Sequence, residues 1–323
     1  MKEIIVTGNQ EGLSLHKLLG KVLPNAGGSF LYKMLRKKNI TLNDKKADGK
    51  EAIHSGDSVK IYFAEDTLIK FMGTEDKTER IKGATGQIDV LYEDEDILAI
   101  NKPTGILSQK SKDSDISINE EMIQYLLNHH SITEEELQVF RPSVCNRLDR
   151  NTSGIILCGK TIKGLQELSY VLKMRTIHKY YRCFVKGEMK EPSLLEGYLL
   201  KDEKKNKVTI LKTQPNNQEA KEIKTKYVPL KVLECFDESG EKVKYTYLEV
   251  LLITGRSHQI RAHLASIGHP LIGDEKYGDP LLNRFFRKQF KIKNQMLHCY
   301  RIEGSDLFEE IIAPIPEEFE RVK

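Results

Sequence analysis

The apolar residues of the first 63 positions predict two short amphipathic helices and two short strands. One helix is marked by leucines at helical spacing, and the other by the apolar residues of positions 30–38. Strands near 41–43 and 59–62 flank turns at Gly49 and Gly56-Asp57. The inward positions of the two helices are Leu13, Leu15, Leu18 and Leu19, then Phe30, Leu31, Met34 and Leu35.

The periodic pattern is lost in residues 64–86, where Gly, Thr and charges of both signs accumulate. Such a composition is typical of a connecting segment. We therefore predict a first domain at 1–63, a linker at 64–86 and a second domain at 87–323.

The second domain opens with predicted strands at 88–92 and 97–101, before a helix near 118–129. Ser131 with Glu134 is a candidate cap for another helix. A buried strand at 155–158 precedes a helix whose inward positions are Ile162, Leu165, Leu168 and Leu172. Further strands are predicted near 180–186, 207–213 and 244–253. Strands outnumber helices without regular alternation, which favours an α+β fold over a doubly wound sheet.

Composition agrees with a two-domain protein that meets an anionic partner at its N-terminal end. The chain has 323 residues and a formal charge of +4. Residues 1–63 contain eleven Lys or Arg against six Asp or Glu, which is a net +5. Five scattered cysteines, no apolar run of about eighteen residues and no signal-peptide core predict a reducing, cytoplasmic setting.

The segment Asn146 to Gly154, N-R-L-D-R-N-T-S-G, sets Asp149 between Arg147 and Arg150. Arginine makes forked contacts with phosphate and carboxylate and keeps its charge, so both arginines could hold an RNA backbone as well as Asp149. Asp149 is therefore expected to stay ionised, as a nucleophile or a base requires. Taken alone, R-L-D-R is more often a structural ion pair.

A second dense segment lies about a hundred residues downstream, T-G-R-S-H-Q-I-R-A-H at 254–263, followed by G-H-P-L-I-G-D-E-K-Y-G at 268–278. Together with 146–154, K-Y-Y-R-C-F-V-K-G at 179–187 and N-K-P-T-G at 101–105, it resembles the RluA-type pseudouridine synthases. Four motifs occur in that family's order over about residues 87 to 300. The resemblance implies a bent, mostly antiparallel mixed sheet with flanking helices, and no cofactor.

The resemblance also implies roles for individual residues. Asp149 matches the catalytic aspartate that adds covalently to the target uridine, and Tyr181 the tyrosine that stacks on the base and assists proton removal from carbon 5. Arg261 matches the basic partner of the aspartate, and Arg147 the arginine that replaces the extruded base. Arg150, Arg256 and His258 are expected to bind substrate. Without the other motifs, Tyr181 would be read as strand packing.

One position departs from the family pattern, because Asn146 stands where a histidine often precedes Arg-Leu-Asp. Asparagine does not titrate near neutrality. The proposed chemistry assigns no proton transfer to this position, so it is unaffected, but any special role of a histidine there is in doubt.

The basic N-terminal segment resembles an alpha-L type RNA-binding module. Lys33, Arg36, Lys37 and Lys38 crowd the end of its second helix, where they would contact phosphates without reading sequence. An ordinary solvated basic helix is the alternative. The lysine-rich stretch 201–226 is a second candidate RNA contact, equally well explained as a solvated hairpin.

A metal site is disfavoured, because His258 and His263 are five positions apart and would not share a helix face. Members of the family that pair these two domains imply large-subunit ribosomal RNA as substrate, and a monomer is expected. A transfer-RNA substrate and a non-catalytic RNA-binding or ribosome-assembly factor remain open. A metal-dependent nuclease is disfavoured by the lone Asp149. The sequence leaves open whether Asp149 attacks the base or the ribose.

Overall fold

The computed structural model describes residues 1–72, 81–215 and 219–323. The chain forms two compact units, each assembled from separated stretches. The first unit contains residues 1–99, 109–146 and 157–170, and the second contains 100–108, 147–156 and 171–323. The predicted domain boundaries remain a prediction, and residues 73–80 of the predicted linker lie outside the described residues.

The N-terminal part of the first unit is a four-stranded antiparallel sheet covered by helices. Its strands, in the order β1-β4-β2-β3, are β1 (Lys2–Ile5), β2 (Ile40–Leu42), β3 (Lys45–Lys46) and β4 (Ser58–Ile61). Helices α1 (Leu15–Val22) and α2 (Gly28–Arg36) are the two predicted helices. Ser14 caps α1 by accepting the Lys17 N–H at 3.4 Å. Burial of one leucine face of α1 joins it to this core.

The next helix lies in the segment that was predicted to be a linker. Helix α3 (Glu65–Met72) covers the same core, with Leu68 9% exposed and the Phe71 ring 4.6 Å from that of Phe30. The predicted loss of the periodic pattern in residues 64–86 is therefore wrong for positions 65–72, whereas the linker boundaries stay a prediction. Leu68, Phe71 and Met72 have the i, i+3, i+4 spacing of a buried helix face, which a short window with many charges obscured.

The rest of the first unit combines helices with short strands. Its elements are β5 (Val90–Glu93), α4 (Ile118–Asn128), α5 (Glu134–Val139) and β7 (Ser143–Val144). Strands β6 (Ile97–Lys102) and β8 (Ser153–Gly159) and helix α6 (Ile162–Met174) cross the unit boundary. Helix α5 is capped by Thr133, whose hydroxyl accepts the Glu136 N–H, so the predicted cap by Ser131 and Glu134 is wrong by two residues.

Asn146 has a structural part in the first unit. Its side-chain oxygen accepts the Leu157 N–H at 2.7 Å, and the residue is 9% exposed. The amide therefore braces the backbone of β8.

The second unit is built on a mostly antiparallel sheet in the strand order β11-β10-β12-β13-β9-β14-β8, with β15 paired to β14. Only the β14–β8 contact among these pairs is parallel within the described residues. The strands are β9 (His178–Lys186), β10 (Ser193–Asp202), β11 (Lys207–Leu211), β12 (Lys221–Phe236), β13 (Lys242–Leu252), β14 (Leu297–Ser305) and β15 (Phe308–Ile312). The helices are α7 (Gln259–Ser266), α8 (Pro280–Phe290) and α9 (Glu317–Glu320). This arrangement confirms the predicted α+β class.

Strand β9 lies in the middle of that sheet and is paired on both edges. Tyr181 faces Val250 of β13 and Cys299 of β14. Phe184 lies on the opposite face of β9 and belongs to an aromatic core. Its ring stacks on that of Tyr247 of β13, with 4.6 Å between the ring centroids. In the described part of the chain, no helix is long and apolar enough to cross a membrane.

Candidate active site

Asp149 lies in the loop before β8. The residues that follow it form hydrogen bonds with residues at the start of β14. The Gln295 side-chain amide donates to Thr152 Oγ1 at 3.2 Å. Ser153 Oγ lies 2.8 Å from Nδ1 of His298. Burial lowers the pKa of His298 to about 4, so this imidazole is neutral at neutral pH. The Asp149 loop is thus held by neutral, buried hydrogen bonds.

Gly154 presses the same loop against β14. It adopts φ 109°, which side chains rarely tolerate, and a Cβ added to it would lie 2.1 Å from the carbonyl oxygen of Cys299. Only glycine permits this approach, which explains the residue type at the end of the 146–154 motif.

Lys102 also supports the Asp149 loop. Its ammonium donates to the carbonyl oxygens of Pro103 at 2.7 Å, Ile106 at 2.8 Å and Arg150 at 2.9 Å, and the residue is fully buried. Burial lowers the pKa of Lys102 to about 7, and the negative charge of Asp149 opposes the shift. The three carbonyl acceptors match the three donors of an ammonium, so they also favour the charged form.

Arg261 connects two carboxylates that differ in exposure. Its Nη1 lies 2.6 Å from Asp149 Oδ2, while Nε and Nη2 bind the two oxygens of Asp274 at 2.7 and 2.9 Å. The Asp149 side chain is 24% exposed and that of Asp274 is 0% exposed. Burial alone would lower the pKa of Arg261, but the two carboxylates raise it by more, so the guanidinium remains charged. The partly exposed carboxylate is therefore held in place without being enclosed.

Asp274 is the buried anchor of this arrangement. Its Oδ1 also accepts the backbone N–H groups of Lys276 at 2.8 Å and Tyr277 at 3.1 Å. Burial would raise the pKa of Asp274, but Arg261 and these two N–H donors outweigh it and lower the pKa. Asp274 thus stays ionised and fixes the plane of the guanidinium.

Gln259 fixes the start of α7, the helix that carries Arg261. Its side-chain oxygen accepts from Thr254 Oγ1 at 2.8 Å and from the Arg256 N–H at 3.1 Å. Its nitrogen donates to the Lys224 carbonyl and to Thr225 Oγ1, both at 3.0 Å. The two bonds from this nitrogen tie the start of α7 to β12.

His258 precedes α7 in a left-handed conformation, φ 56°, which is costly for a residue other than glycine. Its Nδ1 forms a hydrogen bond with the Tyr277 hydroxyl at 2.9 Å, and that hydroxyl also accepts the Val208 N–H at 2.9 Å. Burial lowers the pKa of His258, and the charge of Asp149 opposes the decrease. His258 is thus a neutral imidazole within the electrostatic reach of Asp149.

Tyr181 is 4% exposed and forms a hydrogen bond with the Cys299 side chain. Burial, with smaller contributions from Cys299 and Asp149, raises the pKa of Tyr181 well above its ordinary value. Tyr181 is therefore a neutral phenol near Asp149, able to donate a hydrogen bond but not present as a phenolate.

The structure brings together Asp149, Tyr181, Arg261 and His258, which come from three separate segments of the sequence. Arg147, Arg150 and Arg256 are exposed. The expectation that Arg147 and Arg150 hold the Asp149 carboxylate is wrong, because Arg261 provides the ion pair of Asp149 among the described residues. Lys33 and Arg36 on α2, and Lys37 at its C-cap, are exposed in the first unit.

Sequence reasoning gave no role to Lys102, Asp274 or Tyr277, although each stands in a motif quoted above. The signal for Asp274 was its place in G-D-x-x-Y, since a buried carboxylate requires a cationic partner. The signal for Lys102 was a lysine at the end of an apolar strand.

Within the described residues, no three His, Cys, Asp or Glu side chains are grouped so that they could hold a metal ion. Two of the three histidines in the 254–278 region have structural partners: His263 Nδ1 contacts Thr225 Oγ1 at 3.0 Å, and His269 Nδ1 contacts the Lys186 carbonyl at 2.8 Å.

Comparison with known proteins gives the same family throughout. The family model described as RNA pseudouridylate synthase matches residues 96–266. Ribosomal large subunit pseudouridine synthase C of Vibrio vulnificus is 30% identical over 322 residues, covering 96% of this chain and 92% of that protein. A tRNA pseudouridine synthase C of Vibrio cholerae is 31% identical over 220 residues, covering 66% and 83%.

Among solved structures, human RNA pseudouridylate synthase domain containing 4 aligns with a TM-score of 0.55 at 20% identity, over 72% of this chain and 91% of that one. This likeness confirms the predicted pseudouridine-synthase fold. With a family model that spans more than half of the chain, the conclusion extends from fold to family: the chain belongs to the RNA pseudouridylate synthases of the RluA type, enzymes that isomerise uridine in RNA.

Proposed function

We propose that this enzyme modifies uridines of large-subunit ribosomal RNA with Asp149 as its nucleophile. The observation that carries the assignment of Asp149 is its ion pair with Arg261, which holds a 24% exposed carboxylate in a fixed position in the site. An ionised, positioned carboxylate can form a covalent intermediate with an electrophilic carbon.

In the proposed reaction, a carboxylate oxygen of Asp149 forms a bond to the target nucleoside and the bond between N1 and the ribose breaks. The uracil turns and rejoins the ribose through carbon 5, which then loses its proton while N1 gains one, and the aspartate bond breaks and restores the carboxylate. Attack on the base and attack on the ribose both satisfy this scheme. The change is an isomerisation, so it requires no external oxidant, reductant or group donor.

Tyr181 is proposed to act in this scheme as a neutral phenol. Because its pKa is raised, its oxygen can take the carbon-5 proton only while it releases its own hydroxyl proton to another acceptor. It is 4% exposed, so stacking of uracil on its ring requires the cleft to admit the base beside Asp149. His258, as a neutral imidazole, is a candidate hydrogen-bond partner of the uracil.

The exposed arginines of the site have a proposed role in extruding the uridine from the RNA. A base within folded RNA must leave the stack before its glycosidic bond can be reached, at a cost of a few kcal/mol. The exposed Arg147, two residues before Asp149, is proposed to fill the vacated place, since a guanidinium stacks on bases. Arg150 and Arg256 are proposed to contact phosphates.

The N-terminal helix α2 is proposed as a separate RNA contact. Lys33 and Arg36 are exposed on it and Lys37 is exposed at its C-cap, and none of the three is in an ion pair among the described residues. Contacts of this kind add affinity that depends on salt. The net +5 of residues 1–63 supports the same role.

The choice of ribosomal RNA rests on the relative from Vibrio vulnificus, whose match covers nearly the whole of both chains, N-terminal region included. The transfer-RNA relative aligns over 66% of this chain and is the source of the second candidate substrate. A ribosomal substrate would place the protein in the cytoplasm. The predicted monomer stays a prediction.

The substrate is tested by mapping pseudouridine, with carbodiimide labelling and primer extension, in cells that lack the gene. Complementation uses either the wild-type gene or Asp149→Asn. Ribosomal sites lost in the deletion and restored only by the wild type would support the proposal. Unchanged ribosomal sites together with lost transfer-RNA sites would replace it with the second candidate.

A further inference from the structure

Tyr277 connects the candidate active site to a hairpin that has no part in the proposed chemistry. The hairpin consists of β10 and β11, which pair in antiparallel register with Asp202 opposite Lys207. The Tyr277 hydroxyl accepts the N–H of Val208 on β11 at 2.9 Å and forms a second hydrogen bond, also 2.9 Å long, with Nδ1 of His258. A single oxygen atom therefore joins the hairpin to the residue that precedes α7.

The ring of Tyr277 also contacts both the hairpin and helix α7. The guanidinium carbon of Arg261 lies 5.3 Å from the ring centroid, and the ammonium of Lys207 on the hairpin lies 5.6 Å from it. Tyr277 packs as well against an apolar cluster that contains Val208 of the hairpin and Ala262 of α7. The hydroxyl and the ring thus make the same connection by different contacts.

The hairpin is held at its turn by the neighbouring residue. The ammonium of Lys276 donates to the carbonyl oxygen of Asn206 at 2.6 Å, and Asn206 adopts φ 46° in the turn between β10 and β11. Residues 276 and 277 therefore bind one backbone acceptor and one backbone donor of the same hairpin. Docking of the hairpin depends on its main chain at both points.

The backbone of Tyr277 is fixed independently of the hairpin. Its N–H donates to Oδ1 of Asp274 at 3.1 Å. The Asp274 carbonyl oxygen accepts the N–H of Gly278 at 2.9 Å and the side-chain amide of Asn283 on α8 at 2.8 Å. A Cβ added to Gly278 would lie 2.1 Å from that oxygen, so only glycine fits. The turn is closed and anchored to α8, which makes Tyr277 a fixed support for the groups that its hydroxyl binds.

His258 is the group in the site that requires such a support. Its φ of 56° is costly for a residue other than glycine and persists only where surrounding contacts hold it. The hydrogen bond with Tyr277 holds its side chain, with the two rings inclined at 70° and their centroids 5.6 Å apart. The partner of one ring nitrogen decides which nitrogen carries the proton of a neutral imidazole. Tyr277 therefore decides what the other nitrogen of His258 presents to a substrate.

We propose that Tyr277 is a positioning residue for catalysis, through which the docked β10–β11 hairpin fixes the orientation and the tautomer of His258 toward the target uridine. The inference rests on the proposed function, in which His258 is a partner of the uracil, and deepens it by making the hairpin part of the active site. Tyr277 acts through His258 and does not touch the substrate. Groups that are oriented before the base arrives contribute more to the rate than groups that must reorient.

The test compares Tyr277→Phe, which removes only the hydroxyl, with Tyr245→Phe as the matched control. The Tyr245 hydroxyl is also in the second unit, belongs to a buried residue and bonds a backbone group, the Val322 carbonyl, at 2.9 Å. Each variant loses a hydrogen bond to the main chain, so both should have a lower melting temperature. Only Tyr277→Phe should also lower kcat for pseudouridine formation, by about 10-fold, with nearly unchanged RNA affinity.

Nitrogen NMR of the enzyme with ¹⁵N-labelled histidine reports the imidazole directly, with the His258 signals assigned by their loss in His258→Gln. The wild type should show a single tautomer of His258, and Tyr277→Phe a mixture of the two. Identical His258 spectra in these two proteins would overturn the proposal. A Tyr277→Phe enzyme that loses no more kcat than Tyr245→Phe would also overturn it, because Tyr277 would then be a purely structural residue.

The positioning role and the proposed function fail by different results. If Asp149→Asn turns over as fast as the wild type, the assignment of the nucleophile fails, whereas the His258 spectrum of the RNA-free enzyme still decides whether Tyr277 fixes the imidazole. If the wild type does not modify a ribosomal transcript, the substrate assignment fails, and a transfer-RNA transcript then supplies the comparison of kcat.

Discussion

Nη1 of Arg261 lies 2.6 Å from Oδ2 of Asp149, while the other two nitrogens of the guanidinium hold Asp274. The position of the partly exposed carboxylate is therefore set by a buried one that does not touch it. This relationship makes Asp274 a positioning residue with both a structural and a functional consequence.

Replacement of Asp274 by asparagine should lower the free energy of unfolding by about 3 kcal/mol or more, because it leaves Arg261 buried with half of its compensating charge removed. Urea denaturation measures this. Glu275→Gln is the control, since its ion pair with Arg287 is exposed and should contribute less than about 1 kcal/mol. Equal stability losses in the two variants would contradict the anchoring role.

Arg261→Lys keeps the charge but cannot bridge two carboxylates in a plane. Asp149 should then be misplaced, and kcat should fall by about 100-fold, the scale associated with a displacement of about 1 Å. The KM for RNA should change little, because the contact lies within the protein. Single-turnover and steady-state kinetics together measure both quantities, and a variant impaired only in KM would argue for a direct RNA contact by Arg261.

Gly154→Ala should destabilise the protein and impair turnover, because its Cβ would lie 2.1 Å from the Cys299 carbonyl oxygen in addition to the strain of φ 109°. Gly268→Ala is a matched control with φ 86° and open space around its Cβ. It should show only the backbone strain, on the order of 1 kcal/mol. If both variants unfold at the same urea concentration, the close approach of the Asp149 loop to β14 is not required.

Stability should fall between pH 6.5 and pH 4 in part because of His298. Its folded pKa of about 4 lies below the ordinary 6.5, so the unfolded chain binds a proton in this range before the folded protein does. The loss amounts to at most about 3 kcal/mol. His298→Gln should have a shallower dependence of unfolding free energy on pH over the same range, although His258 and His263, whose pKa values are also lowered, still contribute. Parallel pH profiles for the two proteins would contradict this account.

The spacing of apolar residues along the sequence was sufficient to predict many of the helices and strands. The leucine spacing of α1 and the predicted helix near 118–129 correspond to observed helices, because one face of each is buried. Helix α3 was missed because its buried face, formed by Leu68 and Phe71, packs against residues distant in sequence. Propensity within a short charged segment gives no sign of such a contact.

The candidate site was predictable as a set of residues but not as an arrangement. The motifs named Asp149, Tyr181 and Arg261, and family likeness assigned their roles. Arg261 pairs with Asp274 as well as with Asp149, and Tyr181 is hydrogen-bonded to Cys299. Both contacts depend on strand pairing and on the position of a helix, which bring together residues far apart in the sequence. The sequence of each motif does not contain that information.

The measurement that tests the central claim most directly is release of tritium from uridine labelled at carbon 5 in large-subunit ribosomal RNA, with purified wild-type enzyme and Asp149→Asn. The account predicts release and pseudouridine formation by the wild type, no turnover by Asp149→Asn, and nearly equal RNA affinity for both, because the substitution keeps the shape of the side chain. Turnover by Asp149→Asn equal to that of the wild type would contradict the assignment of Asp149 as the nucleophile.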